Sequence, residues 1–332
     1  MNSPISGPAS AGSAPANELH VIFGSGPLGT AVMRELAAKN KRVRIVNRRG
    51  KADAVPGVEV VRGDAMDAAS TREACKGAAV VYNCANPAYT EWVTLFPRIQ
   101  AGILEGAAAA GAKLIAAENV YMYGPVDRPM TEDMPYAAHT RKGQVRAQMA
   151  LTLQEAHRAG KVLAASGRAA DFYGPGVLSS AVGERVFFPA LRGKAATVMG
   201  KLDVLHTYSF IDDFARGLVI LGERPEALGQ AWHIPSAETL TTRQFLTLVY
   251  AELKLPLKVS AAPDLLIKAL GLFNPMMHEL VEMLYEFNAP FIVDHSKFAR
   301  AFGDFSTPHA AAIRATVEWY RGQEINRAQG GG

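Results

Sequence analysis

The chain has 332 residues, of which 49% are hydrophobic and 20% are charged, so it is neither intrinsically disordered nor collagen-like. Its 35 Lys and Arg against 31 Asp and Glu give a formal net charge of +4 without a long basic block, which argues against a nucleic-acid partner. Two cysteines are too few for a disulfide framework, and no uninterrupted apolar run reaches the roughly 18 residues that predict a membrane span. We expect a soluble protein in a reducing, cytoplasmic setting.

Elements can be predicted along the chain from Leu19 onward; residues 1–17, rich in Ser, Ala and Pro, are predicted to form a disordered leader. Short apolar runs predict strands, and helical periodicity predicts the segments between them. The predicted strands are 19–23, 43–46, 58–61, 78–82, 113–117 and 162–166, and the predicted helices are 30–39, 67–75, 97–110 and 140–159. This alternation predicts a parallel sheet with helices on both faces.

A glycine-rich segment follows the first predicted strand and opens the first helix. Gly24 allows a tight turn, Gly26 removes a side chain where a pyrophosphate must approach, and Gly29 permits close packing of the helix. The helix N-terminus offers free N–H groups to the anion. A dinucleotide site is therefore predicted at Gly24, Ser25, Gly26, Pro27, Leu28 and Gly29.

The residues after the second and third strands select the dinucleotide. An NAD site usually carries an acidic residue after the second strand, whereas this chain has Asn47, Arg48 and Arg49, whose guanidinium groups favour the 2′-phosphate of NADP. The alternative interpretation is that these arginines are solvated loop residues. Asp64, after the third strand, is placed either to bond the adenine edge or to close a turn. We expect NADPH to be preferred over NADH.

Beyond residue 176 the alternation of strands and helices loosens. Helices are predicted over 181–194, 212–221 and 241–253, an extended segment over 205–211, and a return to the main sheet at 231–234. The predicted fold class is α/β, a Rossmann-type doubly wound parallel sheet with a smaller, mainly helical C-terminal substrate domain. The dinucleotide-binding domain is expected over 18–175, with returning segments about 204–236 and 290–297. The substrate-binding domain is expected over 176–203 and 237–325.

Several motifs in order resemble the extended short-chain dehydrogenase/reductase group, also called the NAD-dependent epimerase/dehydratase family. Besides the glycine loop they are Gly63–Asp67, Asn83–Ala85, Val120–Gly124, Arg168–Gly176 and Ser209–Asp213, and the resemblance covers about residues 19–320. It implies a nicotinamide cofactor across Ala85 and Asn86, a nicotinamide end near 170–173, and a substrate between the two domains. The cofactor contacts implied near the nicotinamide are Asp171, Phe172 and Tyr173.

The sequence departs from the family pattern at the catalytic positions. The usual Ser or Thr before Tyr-Gly is replaced by Asn119. The usual Tyr-x-x-x-Lys pair is absent, because with Lys142 as the lysine the tyrosine position holds Ala138, and a register shifted by two supplies neither residue. Lys142 followed by Arg146 is similar to the isoflavone-reductase-like group, in which a lysine without that tyrosine is the essential side chain.

Three candidates for the proton donor follow. Lys142 is expected to hold the cofactor ribose and, if desolvated, to deliver a proton through the ribose hydroxyl or a water. Tyr136 lies in a loop six residues earlier and is placed to swing its phenol toward the vacated position. Asn119 is placed to donate a hydrogen bond to a carbonyl oxygen, with Tyr121 nearby. A structural role is the alternative for each of them.

The composition of the C-terminal region indicates what kind of substrate the protein binds. Residues 265–273 and 276–285 predict a helix pair rich in Met and Leu, either domain core or an adaptable apolar wall over the site. The histidines show no metal spacing, so no metal is expected. The favoured function is an NADPH-dependent reductase of a small, mainly apolar carbonyl or activated alkene. The alternatives are a nucleotide-sugar epimerase or dehydratase and a non-catalytic NADP-binding sensor or scaffold. The expected partner is a small-molecule substrate, and a homodimer is left open.

Overall fold

The structure, a computed structural model, describes residues 18–329, so the predicted leader lies outside the described residues. The strands are β1 (Leu19–Phe23), β2 (Arg42–Asn47), β3 (Glu59–Arg62), β4 (Ala78–Asn83), β5 (Lys113–Glu118), β6 (Ala164–Arg168), β7 (Asp171–Tyr173), β8 (Ala196–Met199), β9 (Leu205–His206), β10 (Tyr208–Phe210), β11 (Ala231–His233), β12 (Leu240–Thr241) and β13 (Val259–Ala262). The helices are α1 (Pro27–Ala38), α2 (Ala68–Cys75), α3 (Trp92–Ala110), α4 (Arg141–Arg158), α5 (Glu184–Leu191), α6 (Ile211–Glu223), α7 (Thr242–Glu252), α8 (Asp264–Gly271), α9 (Pro275–Val281), α10 (Tyr285–Asn288), α11 (Ser296–Phe302) and α12 (His309–Gln329).

Seven strands form one parallel sheet in the order β11-β6-β5-β4-β1-β2-β3. The order reverses between β1 and β4, and ligands of such sheets bind outside the carboxyl ends of the strands at that reversal. The predicted return of the chain to the sheet is β11, which pairs with β6. The Rossmann-type doubly wound α/β fold with a mainly helical C-terminal region is confirmed.

Helices cover both faces of the sheet. On one face α1 and α6 bury Val32, Leu36 and Leu218, and on the other α2, α3 and α4 bury side chains such as Ile103 and Leu153. Each such side chain is at most 2% exposed, and full burial of an aliphatic side chain stabilises by roughly 1.5–3 kcal/mol. The helices thereby hold the carboxyl ends of the central strands in fixed positions.

The C-terminal unit has its own core. Side chains of α5, α7 and α12 pack together there, among them Phe187, Phe245, Val249, Ile313 and Tyr320. Two small sheets, β8 with β13 and β9 with β12, complete the unit. Helix α9 packs on the turn that follows β4, and the Phe287 carbonyl oxygen of α10 accepts from the Lys201 N–H at 2.9 Å.

The bounds of several predicted elements differ in the structure, and three of these shifts have a local cause. Helix α1 begins at Pro27 rather than at residue 30, because proline is favoured at the first helical position. Helix α3 begins at Trp92 and runs through Pro97, since the buried Trp92 secures its first turn. Strand β6 begins at Ala164 rather than at residue 162, because Leu163 is turned half out to solvent.

Candidate active site

The glycine loop between β1 and α1 is shaped by two close backbone contacts. Gly24 has a φ of +103°, and a Cβ on it would lie 2.7 Å from the carbonyl oxygen of Cys84. A Cβ on Gly29 would lie 2.0 Å from the carbonyl oxygen of Gly24. Glycine is required at both positions because a side chain would force the loop apart. Above Gly26 the space is open, since a Cβ there meets no atom within 4 Å.

This loop fits a pyrophosphate group. Helix α1 has Gly26 as its N-cap, which has no side chain to bind the first N–H groups, and Pro27 at its first position. The uncapped N–H groups and the positive end of the helix dipole therefore face the open space above the loop. Leu28 packs instead against the core below. The residues present thus match what a dinucleotide needs at this position.

The end of β2 carries two unpaired positive charges. The Asn47 side-chain amide donates to the Ser25 hydroxyl and to the Lys51 carbonyl oxygen, both at 2.9 Å, and so ties this end of β2 to the glycine loop. Arg48 and Arg49 are exposed, and neither side chain makes a hydrogen bond or an ion pair with any residue of the described range 18–329. Their guanidinium groups are free to meet a phosphate.

The other residues predicted to contact the dinucleotide lie at the same edge of the sheet. The Asp64 carboxylate accepts from the Met66 N–H at 2.9 Å, which closes the turn after β3. Ala85 follows β4, where its N–H donates to the Asn83 side chain at 3.4 Å, and Asn86 is exposed. Asp64 therefore closes the turn after β3, which is one of its two predicted roles. Ala85 and Asn86 lie next to the point where the strand order reverses.

The segment after β6 reaches the glycine loop, since a Cβ on Gly176 would lie 3.4 Å from the Cβ of Pro27. Asp171 in this segment accepts a hydrogen bond of 2.9 Å from Nε2 of His206. Phe172 packs in the core next to α6. The Tyr173 side chain does not reach the loop, because its ring is buried in the C-terminal core, where its hydroxyl binds His309.

Lys142 lies in the first turn of α4, and its side chain is fully buried. Its ammonium group donates to the Glu282 carboxylate at 2.8 Å and also binds the carboxylate of Glu279. The same nitrogen lies 4.5 Å from the centre of the Tyr89 ring. Burial lowers the pKa of Lys142, and the Glu282 carboxylate opposes that shift. Lys142 thus ties α4 to α9 directly above the turn that follows β4.

The structure does not bring Tyr136 to Lys142. The Tyr136 hydroxyl accepts from the Arg168 guanidinium and from the Gln154 side-chain amide at 3.1 Å. Gln154 lies twelve residues beyond Lys142 in α4 (154 minus 142), roughly 18 Å at a rise of about 1.5 Å per residue. The reason is that the buried Arg168 needs acceptors, which it finds in Tyr136 and, at 2.9 Å, in Glu118.

The same arginine orders the loop after β5. Arg168 donates to the Tyr123 hydroxyl at 2.7 Å, and that hydroxyl lies 2.9 Å from Nε2 of His233. The other ring nitrogen of His233 is 2.8 Å from the carbonyl oxygen of Asp294, so it donates and Nε2 accepts. Burial, with the nearby Arg168 charge, lowers the pKa of His233 to about 3. The neutral imidazole therefore fixes Tyr123 and the loop that carries it.

Asn119 and Tyr121 lie close to Lys142. The Asn119 side-chain oxygen accepts from the Tyr121 N–H at 3.3 Å, and a Cβ on Gly143 in the first turn of α4 would lie 2.7 Å from the Tyr121 carbonyl oxygen. The Tyr121 hydroxyl interacts with that of Tyr89. Burial raises the pKa of both phenols, so both are neutral hydrogen-bonding groups at neutral pH.

A buried carboxyl group from α10 completes the cluster of side chains around Lys142, Tyr89 and Tyr121. Glu286 is 1% exposed, and within residues 18–329 neither of its carboxyl oxygens has a hydrogen-bond partner of normal geometry. The hydroxyl of the neighbouring Tyr285 is also buried and interacts with this carboxyl group. Burial, followed by the negative charge of Asp171, raises the pKa of Glu286 well above its ordinary value. Burial thus favours the neutral form of this carboxyl group.

Sequence reasoning missed five residues of this cluster, which are Tyr89, Glu279, Glu282, Tyr285 and Glu286. The three acidic residues are separated by three and four positions, the spacing of one helix face, and this was the available signal. Tyr89 carried no signal, because only the packing of α4 against the end of β4 brings it under Lys142.

Within residues 18–329, no group of three or more His, Cys, Asp or Glu side chains is arranged to hold a metal ion. No helix in the described range is both long and apolar enough to cross a membrane. Both cysteines in that range, Cys75 and Cys84, are buried free thiols, and burial raises the pKa of Cys75 to about 12.

Comparison with solved structures gives close matches of fold at low sequence identity. A dTDP-glucose 4,6-dehydratase from Bacillus anthracis, solved with NAD, has a TM-score of 0.78 and 13% identity, and the match covers 93% of this chain and 98% of that one. A dTDP-glucose 4,6-dehydratase from Streptomyces venezuelae, also solved with NAD, has a TM-score of 0.76 and 19% identity, with 92% and 98% covered. A UDP-N-acetylglucosamine 4-epimerase from Methanobrevibacter ruminantium has a TM-score of 0.76 and 14% identity, with 92% and 99% covered. At sequence identities this low, the matches show that the fold is shared and nothing further.

At the level of sequence families, the NAD dependent epimerase/dehydratase family model matches residues 21–234, which is more than half of the chain. No curated protein matches the sequence significantly. The matched range contains the glycine loop, the reversal of strand order and the lysine of α4. The resemblance drawn from the motifs is thereby confirmed, and the chain belongs to the NAD dependent epimerase/dehydratase family, enzymes of the extended short-chain dehydrogenase/reductase group that use a nicotinamide dinucleotide.

Proposed function

We propose that the protein is an NADP(H)-dependent reductase of a small, mainly apolar carbonyl compound or activated alkene. The observation that carries the choice of dinucleotide is the pair Arg48 and Arg49, exposed and unpaired at the end of β2, where an acidic residue would favour NAD. The glycine loop would hold the pyrophosphate, and the two arginines would hold the 2′-phosphate.

The substrate is expected at the carboxyl ends of β4, β5 and β6, under α9 and α10. When bound, the nicotinamide supplies a hydride to the substrate carbon or accepts one from it. Aromatic rings lie beside the Lys142–Glu282 ion pair at this place: Tyr89 and Tyr121 interact there, and Trp92 is 6.1 Å from the Tyr121 ring. The aromatic part of this lining supports a largely apolar substrate. Lys142 supports the site by holding α9 against it.

A nucleotide-sugar epimerase or dehydratase is the second candidate, and the comparisons favour it over the reductase. The similar structures include dehydratases of dTDP-glucose and an epimerase of UDP-N-acetylglucosamine. Such enzymes return the hydride to the substrate within one turnover, so they consume no dinucleotide. The absence of the Tyr-x-x-x-Lys pair weighs against this candidate, because those reactions need a base at that position.

The test is to follow NADPH and NADH absorbance with the purified protein and a panel of aldehydes, ketones, enones and UDP- and dTDP-sugars. Net oxidation of NADPH supports the reductase. Conversion of a nucleotide sugar without net oxidation supports the second candidate. Tight NADPH binding with no turnover in either assay would instead favour a non-catalytic sensor. Absence of any dinucleotide binding would overturn all three interpretations.

A double variant tests the dinucleotide preference. Arg48→Ala with Arg49→Ala should weaken NADPH binding by about 10-fold or more, the equivalent of a lost charge-assisted hydrogen bond, and leave NADH binding unchanged. Arg72→Ala, an exposed arginine on α2, is the matched control. An equal loss for NADH and NADPH would contradict the preference for NADP.

A further inference from the structure

We propose that the outer side of the α8–α9 hairpin docks on the surface of a lipid bilayer that carries anionic headgroups. The docking surface, the hairpin patch, consists of the exposed side chains of Leu265, Leu266, Leu270, Leu272, Phe273 and Met276. This inference goes beyond the proposed function and does not depend on it, because the hairpin patch can bind lipid whatever reaction the protein catalyses.

The hairpin patch concentrates the exposed apolar surface of the protein. Within residues 18–329, six of the twelve well-exposed large hydrophobic side chains lie in the stretch 265–276, and the other six are scattered along the chain. Leu265, Leu272 and Phe273 are 80%, 78% and 89% exposed. Single exposed hydrophobic side chains are ordinary, whereas a contiguous group of them marks a surface that binds a protein or a membrane.

The hairpin holds these side chains on a fixed frame. Ile267 is buried on the inner side of α8, and a Cβ on Gly271, four residues later, would lie 3.1 Å from Cγ2 of Val281. Helix α8 therefore packs closely on α9 through this side and leaves the hairpin patch on the other. Helix α9 is in turn tied to α4 by the ion pair between Lys142 and Glu282.

The turn between α8 and α9 suits an apolar environment. The N–H groups of Leu272, Phe273 and Asn274 donate to backbone carbonyl oxygens of α8 at 2.9 to 3.3 Å. The Asn274 side chain accepts from the Met277 N–H at 3.1 Å, and Pro275 has no N–H group. An unbonded N–H group is costly in lipid, so a turn that bonds these groups internally can enter the bilayer interface at little cost.

Acidic side chains are kept away from the hairpin patch. Residues 265–278 contain no Asp or Glu. The two acids that flank this stretch have partners elsewhere: Asp264 accepts from the Asn288 side chain at 2.7 Å, and Glu279 binds the Arg141 guanidinium at 3.0 Å. Neither carboxylate is therefore available to repel an anionic headgroup.

Two lysines place positive charge at the hairpin patch. Lys268 is exposed in α8, three residues after Leu265 and four before Leu272, and Lys201 is exposed just after β8, at the end of the β8–β13 pair from which α8 begins. Neither lysine side chain forms an ion pair within residues 18–329. A lysine stem can lie along apolar surface while its ammonium group reaches the headgroups.

An anionic bilayer is the occupant that these features favour. A helix with large apolar side chains and nearby cations is typical of segments that lie in the interface of such a membrane. The formal net charge of +4 acts in the same direction. In a two-fold dimer the hairpin patch would face its own copy, which would bring the cations of one protomer toward those of its partner.

The first arm of the test measures sedimentation of the full-length protein with vesicles of phosphatidylcholine that contain about one third phosphatidylglycerol. We expect the wild type to bind, and Leu272→Ser with Phe273→Ser to bind about 10-fold more weakly or less, because two large apolar side chains no longer enter the lipid. Leu151→Ser with Leu163→Ser, at exposed positions outside the hairpin patch, is the matched control and should bind as the wild type does. Absence of wild-type binding, or equal binding by the first double variant, would overturn the proposal.

The second arm tests the charge of the membrane. Lys268→Gln should bind the same vesicles about 5-fold more weakly, the contribution of one lysine near an anionic surface. The wild type should bind vesicles of phosphatidylcholine alone more weakly than the mixed vesicles. Equal binding of the wild type to both kinds of vesicle, with no effect of Lys268→Gln, would overturn the assignment to anionic headgroups.

The third arm locates the hairpin patch in the bilayer. Lipids brominated on their acyl chains should quench the fluorescence of Phe273→Trp more strongly than that of the wild type, and equal quenching would overturn the insertion of the hairpin patch. Light scattering without lipid tests a second copy as the occupant. A wild-type dimer that Leu272→Ser with Phe273→Ser converts to a monomer would make this face an interface between copies and overturn the proposal.

Discussion

Gly26 and Gly29 belong to one loop but serve different needs. Gly29 is required by the fold, since its Cβ would lie 2.0 Å from a backbone oxygen, whereas Gly26 faces open space. We predict that Gly29→Ala lowers the free energy of unfolding by about 2 kcal/mol or more, as overpacking does. Gly26→Ala should cost less than about 1 kcal/mol, the scale of an N-cap change, yet weaken NADPH binding at least about 10-fold.

Urea unfolding and fluorescence titration with NADPH check both variants. If Gly26→Ala bound NADPH as the wild type does, the pyrophosphate would not lie over this loop. If Gly29→Ala were as stable as the wild type, the close approach of α1 to the end of β1 would not be required.

Glu286 is expected to make stability depend on pH. Its pKa is raised in the folded state above the ordinary 4.5, so the native protein binds the proton more tightly than the unfolded chain does. This contribution is fully present below pH 4.5 and is lost as the pH rises toward the folded-state pKa, by at most about 1.4 kcal/mol per pH unit. Urea unfolding from pH 5 to 8 should show Glu286→Gln gaining stability relative to the wild type. A constant difference between the two across this range would contradict the raised pKa.

The residues proposed to hold the dinucleotide were predictable because they are identified by local conformation. Gly24, Gly26 and Gly29 are identified by a strand on one side and a helix on the other, and Arg48 and Arg49 by their place after the next strand. The buried carboxyl group was not predictable in this way. Glu286 lies more than 100 residues beyond the glycine loop and the segment 168–176, and nothing in its local sequence reveals its burial.

At the scale of elements, Lys142 connects α4 to α9. We predict that Lys142→Met lowers the free energy of unfolding at pH 7 by about 2–3 kcal/mol, because Glu279 and Glu282 would lose their buried cation. Arg141→Met is the matched control, since the neighbouring Arg141 side chain is 57% exposed and its ion pairs with the same two carboxylates should contribute less than about 1 kcal/mol. Urea unfolding at pH 7 measures both variants; equal losses for the two would contradict the prediction.

Helices α8 and α9 are core on one side only. The outer face of the pair is solvent-exposed rather than core, with Leu265, Leu272 and Phe273 between 78% and 89% exposed. Ile267 and Met283 are buried on the inner side. Helical periodicity alone cannot distinguish a face that packs on a neighbour from one that meets solvent.

A substitution pair tests this orientation. Leu272→Ser with Phe273→Ser should change the free energy of unfolding by no more than about 0.5 kcal/mol, because both side chains are already exposed. Ile267→Ser in α8 removes a side chain that is 2% exposed and should cost about 3 kcal/mol. Thermal and urea unfolding of the purified variants decide the matter, and a large loss in the double variant would mean that this face is covered in solution.

At the scale of the whole molecule, dinucleotide binding should stabilise the fold by mass action. A ligand at 100 times its Kd raises the free energy of unfolding by about 2.7 kcal/mol. At equal concentrations NADPH should therefore stabilise the protein more than NADH, and Arg48→Ala with Arg49→Ala should remove the difference. Thermal unfolding with each dinucleotide measures this effect. Equal stabilisation of the wild type by NADH and NADPH would contradict the preference.

The sequence by itself determined the α/β class, the place of the glycine loop and the membership of the family. These features depend on short-range patterns, since strand runs, helical periodicity and glycine spacing each lie within a few dozen residues. Only the tertiary structure decided that the Tyr136 hydroxyl binds Arg168, that Lys142 is held by two carboxylates, and that the Glu286 carboxyl group is buried without a cation. The physical reason is that the charge state and the partners of a side chain depend on which distant elements pack around it, and local sequence does not encode that packing.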